Sequence, residues 1–137
     1  MFKTGLDKGE AISNLRLMDI FHCACEGGIR YSSRTGTVVL VINNTKEGLP
    51  SWVRGDEALF AGRPLKNGVT GANKRLKEFL EEGKPVFLFE VKKPGAYEYV
   101  GPVALNGEMR IERNGEGLEW PVFPLRVEEG GEVQGAA

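Results

Sequence analysis

Residues 85–127, PVFLFEVKKPGAYEYVGPVALNGEMRIERNGEGLEWPVFPLRV, decide the fold. Four runs rich in β-branched and aromatic residues, PVFLFEVK, AYEYVGPVAL, MRIER and EWPVFPLRV, are separated by Pro-Gly, Asn-Gly and Asn-Gly-Glu-Gly turn signals. Runs joined by turns this short fold back on one another, so the second half of the chain reads as an antiparallel sheet. Pro121 and Pro124 lack the N–H that a ladder needs, which directs the last run to an edge or a bulged position.

Upstream, Thr37 to Asn43 (TVVLVIN) is a β-branched run bounded by Gly36 and the polar loop NNTKEGLPS, and reads as a buried strand. A second strand is expected over Asp56 to Ala61. Thr70 to Glu82 (TGANKRLKEFLEE) has a threonine in N-cap position and stops at Gly83. It sets Leu76, Phe79 and Leu80 opposite Lys74, Lys77 and Glu81, the pattern of an amphipathic helix. A shorter helix is expected over Glu10 to His22, where Ile12, Leu15 and Met18 recur at three-residue steps with Leu17 and Phe21 beside them, ended by Gly27 and Gly28. Two short helices on a strongly bent antiparallel sheet or open β-barrel make an α+β domain, not a βαβ one.

A chain of 137 residues fits one domain, and 41% apolar with 27% charged residues is enough for a core and excludes wholesale disorder. That domain is assigned to residues 1–128. The end, EEGGEVQGAA, is small, acidic and glycine-rich, so residues 129–137 read as a flexible tail or linker. There is no apolar run of membrane-spanning length, and the opening MFKTGLDKGE carries acid and glycine where a signal peptide needs an apolar stretch. A cytoplasmic protein with reduced thiols and no membrane partner is expected.

Chemistry-bearing motifs are sparse. HCAC (22–25) offers an imidazole and two thiols, but no second Cys or His segment exists to complete a tetrahedral site. Cys23 and Cys25 are therefore expected to be structural, with no metal. His22 is the single histidine around which any catalytic triad would have to be built. Neither a P-loop nor GxGxxG occurs, so no cofactor is expected.

Charge points elsewhere. Cut after Ala104, the first part carries 15 Lys+Arg against 12 Asp+Glu and the rest 3 against 7, hidden under a net −1. The densest basic window, residues 63–77, holds Arg63, Lys66, Lys74, Arg75 and Lys77 with no acid, and Arg30 and Arg34 form a looser group. By composition alone this is a solvated face. Beside it, however, lie the glycine pair before Ile29 and a strand-loop-strand with Asn, Trp and Phe side chains. Such side chains can stack on a base and bond its edge while Arg and Lys take phosphates.

The order of the pieces carries a resemblance. EGGIRYSSRTGTVVLVINN, then DEALFAG, then TGANKRLKEFLEEGKPVFLFEV, AYEYVGPVAL and EWPVFPLRV together resemble the SRA (SET- and RING-associated) domain, most closely the prokaryotic SRA-like modules of modification-dependent restriction endonucleases. The resemblance spans Phe2 to Val127 and is strongest from Gly27 to Leu105. It implies a crescent-shaped, PUA-like barrel that reads modified cytosine, such as 5-methyl- or 5-hydroxymethylcytosine, by flipping the base out of duplex DNA.

Carried over residue by residue, the resemblance implies a base pocket of Asn43, Asn44, Trp52, Phe60, Ala61 and Gly62. It implies contacts to the duplex from Glu26, Gly27, Gly28, Arg30, Ser32, Ser33, Arg34, Arg63, Lys66, Asn73, Lys74 and Arg75. Where family members commonly show Tyr-Thr-Gly, this chain has Phe60, Ala61 and Gly62, without the two hydroxyls. The implied role is a non-catalytic specificity module whose nuclease or NTPase effector lies in another domain or subunit. A PUA-like RNA-binding module and a small base-processing hydrolase of the same barrel shape stay open beside it.

Overall fold

The computed structural model describes residues 2–46 and 50–129. Residues 47–49 of the Asn43 to Trp52 loop, and residues 130–137 of the tail expected over 129–137, lie outside the described residues. The elements follow as β1 (Ala11–Ile12), α1 (Asn14–Phe21), β2 (Ile29–Ser32), β3 (Thr37–Asn43), β4 (Trp52–Arg54), β5 (Glu57–Ala61), α2 (Gly71–Glu81), β6 (Val86–Lys93), β7 (Ala96–Leu105), β8 (Arg110–Arg113) and β9 (Glu119–Val127). The strands form one open sheet in the order β2-β3-β6-β7-β9-β5-β4, with β1 added to β7 and β8 to β9. The α+β class with two flanking helices is the one expected.

The sheet is mixed, not wholly antiparallel as expected. β3 and β6 run parallel, from Val38 beside Val86 to Asn43 beside Val91. The reason lies in what separates them: β4, β5 and α2 intervene, a connection long enough to bring the chain back to the same end before it re-enters the sheet. Val38–Ile42 of β3 and Val86–Phe89 of β6 are apolar without a break because both faces are covered. On one face Val38, Leu40, Ile42, Val86 and Leu88 pack with Leu76, Phe79 and Leu80 of α2 and with Phe60 and Phe123. On the other, Val39, Val41, Phe87 and Phe89 pack with Leu17 and Phe21 of α1 and with Tyr99.

Strand β7 bends the sheet. It pairs with β6 as far as Pro102 and with β9 from Val103 onward. Gly101, immediately before the hand-over, has φ 139°, a backbone conformation that side chains disfavour. Strand β9 lies between β7 and β5, not at the edge that its prolines suggested. Each proline sits where a neighbouring strand has ended. Pro121 falls one residue past the last β5 pair, Ala61 with Val122, and its carbonyl accepts the Gly62 N–H. Pro124 falls between the β8 and β7 pairings, and its carbonyl accepts the Asn106 N–H. The missing N–H groups therefore face gaps in the ladder.

Helix α1 is shorter than its sequence pattern. Ser13 takes the N-cap, its side chain accepting the Arg16 N–H, and His22 closes the helix in the left-handed region at φ 54°. Ile12 belongs to β1, and Leu15 is 69% exposed, so the buried stripe is Leu17 and Phe21 instead. Among the described residues no helix is long and apolar enough to cross a membrane.

Candidate nucleic-acid interface

Strand β2 pairs with β3 from Ser32–Thr37 to Ile29–Leu40, and beyond that last pair the Val41 N–H still donates to the Gly28 carbonyl. Past this point the two diverge. The opening, with the end of β5, forms a cleft of about 620 Å³, within the range of small-ligand sites. Its walls include Gly28, Ile29, Val41, Ile42, Asn43, Asn44, Phe60, Ala61, Gly62 and Arg63. Lys46, Pro50, Ser51 and Pro64 complete the lining, so two cations and no acid line it among the described residues.

Each wall is held from behind. Phe60 is 3% exposed and joins the α2-facing core. Gly28 lies against its ring, since a Cβ there would stand 3.6 Å from the Phe60 Cζ and 3.3 Å from the Val41 carbonyl oxygen. The Ala61 N–H donates to Ser51 Oγ at 2.9 Å. Gly62 has no room for any side chain: a Cβ would fall 2.5 Å from Asn73 Oδ1 and 2.9 Å from Pro121 Cγ. The Asn73 amide in turn clamps the Arg63 backbone, accepting its N–H and donating to its carbonyl, both at 2.8 Å. The first turn of α2 thereby sets the position of Arg63, whose side chain reaches over Gly27.

Asn43, Asn44, Phe60, Ala61 and Gly62 thus come together as expected, with Gly28 and Arg63 from the expected duplex contacts. Trp52 does not line this cleft. It pairs with Leu59 on β4, at the sheet edge, and the Arg54 guanidinium lies 4.6 Å above its ring.

Three expected phosphate contacts are turned inward. Arg30 is 4% exposed. Its Nε donates to the Gly27 carbonyl, its Nη1 donates to Asn14 Oδ1 and the Ala24 carbonyl, and its guanidinium lies over the Tyr97 ring. It staples the loop after α1 instead of reaching solvent. Ser32 is buried and its Oγ accepts the Thr35 N–H, closing the β2–β3 turn. Asn73 is buried in the clamp described above. Ser33 and Arg34 are exposed, but on that turn, at the end of β2 away from the cleft and about 13 Å along the strand.

Glu26, Gly27, Lys66, Lys74 and Arg75 are exposed. Arg75 packs its guanidinium 3.9 Å over Tyr31, whose ring meets Phe79 edge-on. In the loop that Arg30 staples, burial pushes the Cys23 thiol up, an effect that the nearby Arg30 partly offsets. Cys25 is exposed, and both thiols are free. Among the described residues no three His, Cys, Asp or Glu side chains are grouped to hold a metal ion.

Sequence reasoning missed Glu90, which donates nothing but accepts from Asn44 Nδ2 at 2.6 Å behind the cleft wall. Its signal was present: Glu90 follows Val86 and Leu88 on one face and is the one charged residue within the run VFLFEV.

No family model matches the sequence. No curated protein matches it either. Solved structures do. The SUVH5 SRA domain in complex with methylated CHH DNA superposes with a TM-score of 0.73 at 21% identity, covering 92% of this chain and 91% of that one. The same domain bound to fully hydroxymethylated CG DNA gives a TM-score of 0.69 at 21% identity, over 92% and 91% of the two chains. SUVH6 of Arabidopsis thaliana, in complex with SAM, gives 0.68 at 19% identity over 92% of this chain and 26% of that longer one. The architecture is therefore an α+β module of the PUA-like class. Within that class the chain has the SRA fold.

Proposed function

We propose that this chain is a non-catalytic reader of modified cytosine in duplex DNA, and that the cleft between β2, β3 and β5 receives the flipped base. The observation that carries the reading is the composition of that cleft: an aromatic ring, two asparagine amides, three small residues and two cations without an acid. A flipped base leaves its stacking partners, and a few kcal/mol must be recovered by ring contact and edge hydrogen bonds inside the pocket. Phe60 supplies the ring. Asn43 and Asn44 supply groups that donate and accept. Lys46 and Arg63 stand at the rim, where the phosphates flanking an extruded nucleotide pass. SRA domains solved with methylated and hydroxymethylated DNA support the same assignment.

Lys66, Lys74 and Arg75 extend the cationic surface from the cleft along the start of α2 and are assigned to the phosphate backbone. Glu26 and Gly27, exposed beside Arg63, are assigned to the loop that approaches the vacated position in the duplex. A reader of this kind acts through an effector, and we assign it to a modification-dependent restriction system with a nuclease or NTPase in another domain or subunit.

The test is a panel of matched duplexes differing in one base, cytosine, 5-methylcytosine or 5-hydroxymethylcytosine, with RNA of the same sequence, all at one salt concentration. Preference for a modified cytosine over cytosine supports the reading. Equal affinity for all DNA duplexes, or preference for RNA, overturns it.

A further inference from the structure

Period-2 alternation carries one face of the sheet out of the core and up to the cleft. Val38, Leu40 and Ile42 of β3 are followed on that face by Asn44, and Val86 and Leu88 of β6 by Glu90. Asn44 lines the cleft, while Glu90 stands behind it, 8% exposed. Asn44 Nδ2 donates to Glu90 Oε2 at 2.6 Å. The other carboxylate oxygen, Oε1, lies 3.9 Å from Lys92 Nζ, which also reaches Glu98 across the β6–β7 pair.

A carboxylate can only accept. It therefore dictates the rotation of the Asn44 amide, nitrogen toward Glu90. Among the described residues no protein donor meets Asn44 Oδ1. We propose that Glu90 is a positioning residue that presents Asn44 to the cleft as an acceptor, so that the cleft selects a base with an exocyclic amino group over its keto counterpart. The inference rests on the base-reading role proposed above. An amino group gives Oδ1 a proton, whereas a keto oxygen in its place sets two acceptors against each other.

The probes are two duplexes carrying 5-methylcytosine or thymine opposite the same guanine. These bases share the 5-methyl group and differ on the Watson–Crick edge. Mismatched thymine is the easier to unpair, so a preference for methylcytosine has to arise in the cleft. Wild type is expected to favour methylcytosine by about tenfold or more, the size of one unmade buried hydrogen bond. Glu90→Gln can turn its own amide either way, releases Asn44, and should bring the ratio to within about twofold of unity. In an Asn44→Ala background the same substitution should change the ratio no further.

A purely structural Glu90 would lower the melting temperature and both affinities together. An unchanged ratio in folded Glu90→Gln protein therefore overturns the proposal and leaves the reader assignment standing. No methylcytosine preference in the wild type overturns both. A second measurement needs no variant: Asn43 and Asn44 are both exposed, but only the Asn44 amide donates to a carboxylate, so its side-chain amide protons should exchange about tenfold more slowly than those of Asn43. Equal rates overturn the proposal.

Discussion

Asn73 holds both backbone groups of Arg63, its Oδ1 accepting the N–H and its Nδ2 donating to the carbonyl at 2.8 Å each. One buried side chain thus ties the start of α2 to the rim of the cleft. Asn73→Ala leaves both groups without that partner and should destabilise the fold by about 1 to 3 kcal/mol. Asn73→Asp keeps the acceptor, sets a second oxygen against the Arg63 carbonyl, and should cost a similar amount. Chemical denaturation of both variants checks this, and wild-type stability in both would show that the clamp is not what orders the rim.

Gly62 shares that site. A Cβ there would fall inside contact distance of Asn73 Oδ1 and Pro121 Cγ, neither of which is the free end of a flexible chain. Gly62→Ala is therefore expected to destabilise by about 1 to 3 kcal/mol and to weaken DNA binding. Gly115, whose Cβ would meet nothing within 4 Å, is the control. Gly115→Ala should melt with the wild type.

The strands that carry the core were legible because their chemistry is local. TVVLVIN, VFLFEV and EWPVFPLRV declare themselves by β-branched and aromatic content, and α2 by its stripe of Leu76, Phe79 and Leu80. The parallel pairing of β3 with β6 was not legible, because register between segments more than forty residues apart is set by packing on both faces. The prolines misled for a related reason: whether a missing N–H matters depends on where the neighbouring strands end. Five cleft residues were found through the motif order, but Arg30 was read as a phosphate contact. An arginine on a short strand looks alike in sequence whether it faces solvent or the carbonyls of Gly27 and Ala24.

Phe60 is both a core residue and a wall of the cleft. Because the residue is 3% exposed, Phe60→Ala should lose about 3 to 5 kcal/mol of stability and is a poor probe of binding. Phe60→Leu keeps most of the apolar volume and removes the ring. It is expected to weaken modified-duplex affinity by roughly tenfold to a hundredfold while nearly sparing the weak, salt-sensitive binding of unmodified duplex. A folded Phe60→Leu protein with undiminished preference would remove Phe60 from the pocket.

The two thiols should separate by reactivity. Burial pushes the Cys23 thiol up despite Arg30, so less thiolate forms at a given pH, whereas Cys25 is exposed. Iodoacetamide at pH 8 should label Cys25 first. The sign for stability follows: a thiol whose folded value is raised contributes fully below its unfolded value, about 8.5, and loses that contribution as pH rises through the folded value. Mass spectrometry of a labelling time course checks the order, and faster labelling of Cys23 would contradict it.

The basic residues divide by what their side chains already hold. The Arg30 guanidinium is committed to Gly27, Asn14 and Ala24, so Arg30→Ala should destabilise by about 2 to 4 kcal/mol through the acceptors it abandons. Lys74 and Lys66 are exposed, and their removal should leave stability within about 0.5 kcal/mol of wild type. If they neutralise phosphates, each Lys→Ala change should weaken modified and unmodified duplex alike and flatten the dependence of log K on log salt by about one unit. Arg75→Ala should do the same and also lose the packing of its guanidinium on Tyr31, worth about 0.5 to 1 kcal/mol. Arg63→Ala combines the two regimes: its backbone stays clamped by Asn73, so the fold should survive, while the cation over Gly27 is lost. The discriminating measurement is the salt slope on folded protein. An unchanged slope for Arg63, Lys66, Lys74 and Arg75 variants would place all four on a merely solvated face. A flattened slope for Arg30→Ala, with stability intact, would return that residue to the DNA surface from which its burial removes it.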